Sequence, residues 1–326
     1  MAEDKFAEYV RKWAPLIDQH LAQQQQSLRG RVLSAAIHFV ENVVVEIEGD
    51  TKDSYSEKPW FAIIYWHFRK WYEDFYGEQL KQSSDELAGF VYVSSTPFEL
   101  HIPITKAEIA EEGISSTMIF PVEVCPEDEL KGWFRASPNL EMLPVESRAT
   151  LVTEVERIVR DTRTLNLGLM TATLEDSTSK DLAGSVIGHL RTATTLVMSN
   201  NPEGQSVAVW ELHMAAEKAI KIFLGQKFIL YPRTHDLSEL RDLTQSVIDS
   251  TEIDADFENM VSGSDAIGYR YCEGNRLSSS TLFSLYMSVL AIASFYADNL
   301  DRKYGVKNAR ITFKKPPWST LPNGEP

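Results

Sequence analysis

The sequence predicts a mainly α-helical protein with a small antiparallel β element. Three observations carry this. Apolar residues recur at helical spacing near both ends of the chain, and the period shortens to alternation only between residues 90 and 124. The composition is that of an ordinary globular chain, 43% hydrophobic and 24% charged. A length of 326 residues suits about two domains, with enough chain to bury a sizeable core.

The elements follow in order. Trp13, Leu16, Ile17 and Leu21 mark a first helix. Arg31 to Ile47 marks a second, with Val32, Leu33, Ala36, Phe39, Val40 and Val43 on one side. The Gln23–Gln26 run is the turn between them, and residues 49–59 are a polar break. Residues 60–80 carry aromatics on nearly every face. Arg69–Lys70 and Glu73–Asp74 fall at helical spacing, which favours a buried or interface helix over a strand. Residues 90–95, 98–104 and 117–124 are short β-branched or aromatic runs separated by Pro97 and Gly113, as in an antiparallel meander. From Val145 to Leu165 the helical period returns, with Leu151, Val155, Ile158 and Val159 inward.

Residues 166–184 lack a strong period and are rich in Thr, Ser and Asp, so they are expected to be a linker. Beyond it lie four helical runs, at 185–198, 206–224, 236–248 and 279–304. The expected layout is an N-terminal α+β domain over 1–165, a helical bundle over 185–305 and a tail over 306–326. The tail is locally basic through Lys307, Arg310, Lys314 and Lys315. Its ARITF stretch suits an edge strand and its last residues are expected to be disordered.

The formal charge of −15 and pI of about 5.0 disfavour a duplex-binding surface, which needs clustered Lys and Arg. Two cysteines, Cys125 and Cys272, point to reduced thiols rather than a disulfide scaffold. The charged N-terminus lacks the apolar core of a signal peptide, and the longest apolar run, 283–297, is shorter than a membrane span. A soluble cytoplasmic protein without membrane contact is expected. No metal-ligand spacing, P-loop, dinucleotide fingerprint or nucleophile elbow occurs, so neither a metal nor a cofactor is expected.

One stretch raises chemistry directly. YPRTHDL (231–237) holds His235 beside Asp236. Read mechanically it is a helix start. Pro232 ends what precedes, and Asp236 with Glu239 forms a D-x-x-E capping pattern, with Thr234 as the alternative cap. No nucleophile or metal partner is near in sequence, so the capping reading leads. Glu217, Lys218 and Lys221 read as a solvated helix face with an i,i+4 ion pair. His67 and Arg69 beside Trp66 and Trp71 read as core or interface rather than as a base-stacking platform.

The segment 209–243 resembles the middle of a HEPN domain. Ala215, Ala216, Glu217, Lys218, Ala219 and Lys221 match its Ala-rich helix, and Thr234, His235, Asp236 and Leu237 match its Thr-His-Asp-Leu helix start. A Tyr-Arg-Tyr element at 269–271 precedes the last long helix. The resemblance covers about residues 180–305. It implies a four-helix up-and-down bundle, often dimeric, in a family of ribonucleases, nucleotide binders and catalytically silent interaction modules, some of them in bacterial stress or defence systems. Ribonuclease members carry an Arg followed four to six residues later by a His. Arg270 stands at the Arg position, but Asn275, Arg276 and Leu277 stand where the His belongs. Neither an amide nor a guanidinium shuttles protons near neutral pH. Arg31 and His38 also satisfy a loose Arg-x6-His rule on one helix face, where a structural role weighs as much.

The leading expectation is therefore a non-catalytic module acting in homodimerisation and in binding a protein partner, nucleotide or RNA. Its binding residues would be Arg270, Tyr271, Asn275 and Arg276. The alternative is a metal-independent ribonuclease that pairs Arg270 with His235 or His213.

Overall fold

The computed structural model describes residues 5–24, 26–81, 86–111, 115–124, 132–175 and 177–314. The chain divides into two compact units, one built from the residues up to 84 and one spanning 85–315.

The first unit packs three helices: α1 (Lys5–Gln23), α2 (Leu28–Asn42) and α3 (Pro59–Tyr76), followed by one short turn, α4 (Glu78–Lys81). Ser27 caps α2 by accepting from the Gly30 N–H, and Pro59 starts α3 at the position where its missing N–H costs nothing. Val10, Ala14 and Leu21 of α1 meet Val32, Ala36 and Phe39 of α2 and Phe61, Ile64 and Phe68 of α3 in one apolar cluster. α2 is shorter than its apolar run, ending at Asn42 before the Val43–Val45 stretch. The aromatic helix α3 buries only one face. Ile63, Trp66 and Phe75 on the other sides are 58%, 49% and 66% exposed. Arg31 and His38 both turn toward α1, but to separate partners. Arg31 pairs with Asp18 at 3.4 Å, whereas His38 lies edge-on to His20 with ring centroids 5.6 Å apart. A guanidinium already neutralised by a carboxylate is a structural strut.

The second unit is mainly α with two small antiparallel sheets. β1 (Glu86–Val93) and β2 (Thr96–Pro103) form a hairpin in which Phe90 faces Glu99 and Val93 faces Thr96. Its two-residue loop, Ser94–Ser95, holds both residues at positive φ, 49° and 62°. Paired positive φ is the twist-matching hairpin turn that Asn-Gly adopts at least cost. Replacing Ser94–Ser95 with Asn-Gly is accordingly expected to raise the unfolding free energy by about 1 kcal/mol. Urea denaturation checks this, and an unmoved midpoint would count against it.

The expected single meander is corrected. The run at 117–124 does not join the hairpin. It contributes β4 (Ser115–Ile119), which lies between β3 (Lys106–Glu111) and β5 (Arg310–Lys314) in a separate three-stranded sheet. β3 is missing from the sequence expectation because its alternation is written in Lys, Ala and Glu, all helix formers. The ARITF stretch does become a strand, brought back across the chain to pair Ile311 with Met118. The end of the basic tail, 315–326, lies outside the described residues.

The remaining helices are α5 (Val145–Thr171), α6 (Ser177–Met198), α7 (Pro202–Gln226), α8 (Leu237–Thr244), α9 (Asp254–Glu258), α10 (Gly263–Arg270) and α11 (Ser279–Asp298). Two corrections follow. Residues 166–184 are not a linker, because α5 runs on through Leu167, Gly168 and Thr171, all buried, and α6 begins at Ser177. The period fades there because packing is by small residues. A Cβ on Gly168 would lie 2.3 Å from the Ala297 carbonyl oxygen, so only glycine lets α5 and α11 approach this closely. Nor does an N-terminal domain end at 165. Phe90, Leu100 and Ile102 of the hairpin belong to the same core as Val155 and Ile158 of α5 and Tyr286 of α11.

α6 packs along α7, α11 packs on α5 and α7, and α8 and α10 lie against α7. Asn201, Asp236, Ser262 and Ser278 cap their helices through side-chain oxygens. Among the described residues α11 alone is long and apolar enough to span a bilayer, and 67% of that stretch is buried inside the protein. A helix apolar on all sides is what a core position requires.

Candidate functional site

α7 organises the site. Trp210, His213, Glu217 and Lys221 recur at three- and four-residue steps, which puts them on one helix face. That face looks onto the loop from Lys227 to Asp236. Glu217 is only 3% exposed and both its oxygens are used. Oε1 accepts from Lys221 Nζ at 2.6 Å, and Oε2 accepts from His235 Nδ1 at 2.8 Å. Lys221 also donates to the Thr234 carbonyl at 2.9 Å, and His213 Nε2 donates to the His235 carbonyl at 2.8 Å. Three side chains of α7 therefore clasp one loop. The solvated-face reading of Glu217 and Lys221 is corrected: their ion pair exists, but it is buried because the loop covers it.

The clasp delivers the helix start at Asp236. Its Oδ1 accepts from the Ser238 and Glu239 N–H groups, and Thr234 Oγ1 accepts from the Asp236 N–H. α10 begins against the same loop. A Cβ on Gly263 would stand 2.7 Å from the His235 carbonyl oxygen, so the glycine is needed for this approach.

At the far end of α10 the Arg270 guanidinium lies near two rings, 5.2 Å from the centre of Trp210 and 5.7 Å from that of Tyr271. The His235 ring meets the same indole edge-on at 5.3 Å, and the His213 ring lies parallel to it at 6.5 Å. Trp210 is 8% exposed, so it serves as the floor of the arrangement. Arg270 and both candidate histidines thus gather around one indole. No carboxylate pairs with Arg270 among the described residues.

The two histidines differ in what they can do. His213 is fully buried, and burial holds its pKa below the ordinary value. Its Nε2 proton is committed to the loop and its Nδ1 has no partner, so it is a neutral strut. His235 has a side chain 43% exposed, with Nδ1 held by Glu217.

Asn275 and Arg276 lie on a neighbouring feature, a cleft of about 170 Å³ shared with Cys272 and with Pro202 and Glu203 at the start of α7. Tyr269 joins the two. Its carbonyl accepts from Ser206 Oγ and its hydroxyl donates to the Asn275 carbonyl at 2.8 Å. Gly274 lies against the Tyr269 ring. The loop 271–278 is therefore a built structure, and Asn275, Arg276 and Leu277 sit in it ahead of α11.

Sequence reasoning missed Trp210, the centre of the site. Its only local signal is its place one helical step before His213. Among the described residues no group of three or more His, Cys, Asp or Glu is placed to hold a metal ion. In comparisons with known proteins, no family model, no curated protein and no solved structure matches the chain.

Proposed function

We propose that the larger unit is a HEPN-like helical bundle that binds a phosphate-bearing ligand, a nucleotide or RNA, without turning it over, and that it also self-associates. The observation that carries the ligand reading is Arg270. In a chain of net charge −15 it has no carboxylate partner among the described residues, and its guanidinium lies over the rings of Trp210 and Tyr271. A guanidinium fixed in this way loses little freedom on forming paired hydrogen bonds to phosphate oxygens. Arg276 and Asn275 offer further donors across the Tyr269 bridge, and Tyr271, 63% exposed, offers a stacking face. The HEPN-like motif pair at 215–221 and 234–237 supports the family reading, and its clasped geometry gives both halves one physical role.

The ribonuclease reading rests on a different observation. The His235 imidazole, partly exposed and braced by Glu217, shares the Trp210 floor with Arg270. One incubation with structured RNA in EDTA separates the two readings. Binding without cleavage, weakened about tenfold or more by Arg270→Ala, is expected. Cleavage that disappears in Arg270→Ala and in His235→Asn would establish the enzyme instead.

A further inference from the structure

The cleft beside Arg270 has a chemistry of its own. Glu203, in the first turn of α7, and Arg276, in the loop ahead of α11, both line it. Both are exposed, and among the described residues neither side chain has a hydrogen-bond or ion-pair partner. A first-turn glutamate complements the helix dipole, which accounts for its place but leaves both its oxygens unused. A carboxylate and a guanidinium that share one cleft without meeting leave a gap in which a single ligand would satisfy both.

The rest of the cleft is apolar and braced. Val209, Leu277 and Leu282 line its walls. Tyr269 ties the loop down: its hydroxyl donates to the Asn275 carbonyl at 2.8 Å, and a Cβ on Gly274 would lie 2.5 Å from its ring. A cleft formed in advance costs a ligand little ordering. Its size limits what enters. An enclosed cavity of about 150 Å³ admits one benzene ring, whereas drug-sized ligands need about 300 Å³ or more. A cleft of about 170 Å³ whose rim is exposed suits one flat ring system, not a whole nucleotide. Tyr269 and Cys272 border it, and Arg270 and Tyr271 are the two residues between them. A base in the cleft and a phosphate on Arg270 would therefore meet one short segment of chain.

We infer that the cleft is the base subsite of the proposed ligand and that it selects guanine. A carboxylate only accepts and a guanidinium only donates. Guanine alone among the bases offers two adjacent donors, N1–H and the N2 amine, on one edge and two adjacent acceptors, O6 and N7, on the next. Glu203 takes the donors, and Arg276 takes O6 and N7 as arginine does in a DNA groove. Adenine alternates donor and acceptor on both edges, and the pyrimidines have no N7. The inference rests on the phosphate reading of Arg270 and names the base that goes with it.

Titration calorimetry on the full chain with the 5′-monophosphates of guanosine, inosine and adenosine tests it. Guanosine monophosphate is expected to bind at least about tenfold tighter than the adenosine form, since a bidentate pair is worth about that much. The inosine form, which lacks only the N2 amine, should fall at least about fivefold below guanosine. Glu203→Gln should bring guanosine down to the inosine level and leave adenosine unchanged, with the melting temperature showing that the variant is folded. Arg270→Ala should weaken all three by one factor. Equal affinity for guanosine and adenosine, or a guanosine preference that Glu203→Gln leaves intact, overturns the base assignment and leaves the phosphate reading standing. Binding of structured RNA but of none of the three does the same. A chain that binds neither RNA nor any of them overturns both.

Discussion

Glu217→Ala is expected to destabilise the protein by about 3–5 kcal/mol, the usual cost of leaving half of a buried ion pair behind. The side chain is 3% exposed and serves two donors at once. Its removal leaves the Lys221 ammonium, whose side chain is 13% exposed, without a carboxylate, with the Thr234 carbonyl and the Tyr231 ring as its neighbours. It also frees His235, and with it the loop on which α8 and α10 start. The loss should be strongly non-additive. In Glu217→Met combined with Lys221→Met no charge is left unpaired, and such apolar replacements often restore stability. The double variant should therefore recover most of what Glu217→Ala loses in urea denaturation. It should not recover ligand binding, because His235 still lacks its anchor and the Trp210 floor loses its fixed edge. A Glu217→Ala variant as stable as the wild type would show that the clasp is a surface pair of little consequence.

The clasp also explains what was legible beforehand. The helix start at YPRTHDL could be read from the chain because its hydrogen bonds are local: Asp236 caps N–H groups two and three residues on. The partner of His235 is 18 positions away on α7, and Arg270 is 60 positions from the indole it covers. Nothing in the local pattern encodes either meeting. The fold divides in the same way. α5, α7 and α11 announce themselves through apolar residues that recur at helical spacing. The join between α5 and α6 was hidden because Gly168 and Thr171 carry the packing there by being small. Thr171 Oγ1 donates to the Leu167 carbonyl, so even its hydroxyl is spent inside the helix. The strands were placed in the wrong unit for a tertiary reason as well. A hairpin that buries Phe90 against Tyr286, rings stacked at 4.1 Å, belongs with a helix almost 200 residues later in the chain.

The second large effect concerns pH. Asp161 lies on α5 with its side chain 17% exposed. Burial raises its pKa from 3.8 to about 6, against the lowering influence of Arg157, 3.6 Å away, and of Arg160. Asp256 opposes ionisation further. The folded state therefore holds this proton more tightly than the unfolded chain does. Stability from this group is present below about pH 4 and is lost as pH rises to about 6. Above that the penalty stays constant. At about 1.4 kcal/mol per pH unit, the interval between 3.8 and about 6 is worth roughly 3 kcal/mol. Asp161→Asn removes the charge and keeps the shape, and Arg157 retains Asp256 at 3.5 Å. The variant should be more stable than the wild type by about 1–3 kcal/mol at pH 8 and indistinguishable from it near pH 4. Urea unfolding followed across that range reads the difference directly, since every other titrating group is shared and cancels. Parallel profiles would mean that Asp161 is solvated well enough to ionise at its ordinary pKa. Converging profiles would mean that a helix joining the hairpin to α11 carries a buried carboxylate at a standing cost, held by the same Arg157 that ties α9 to α5.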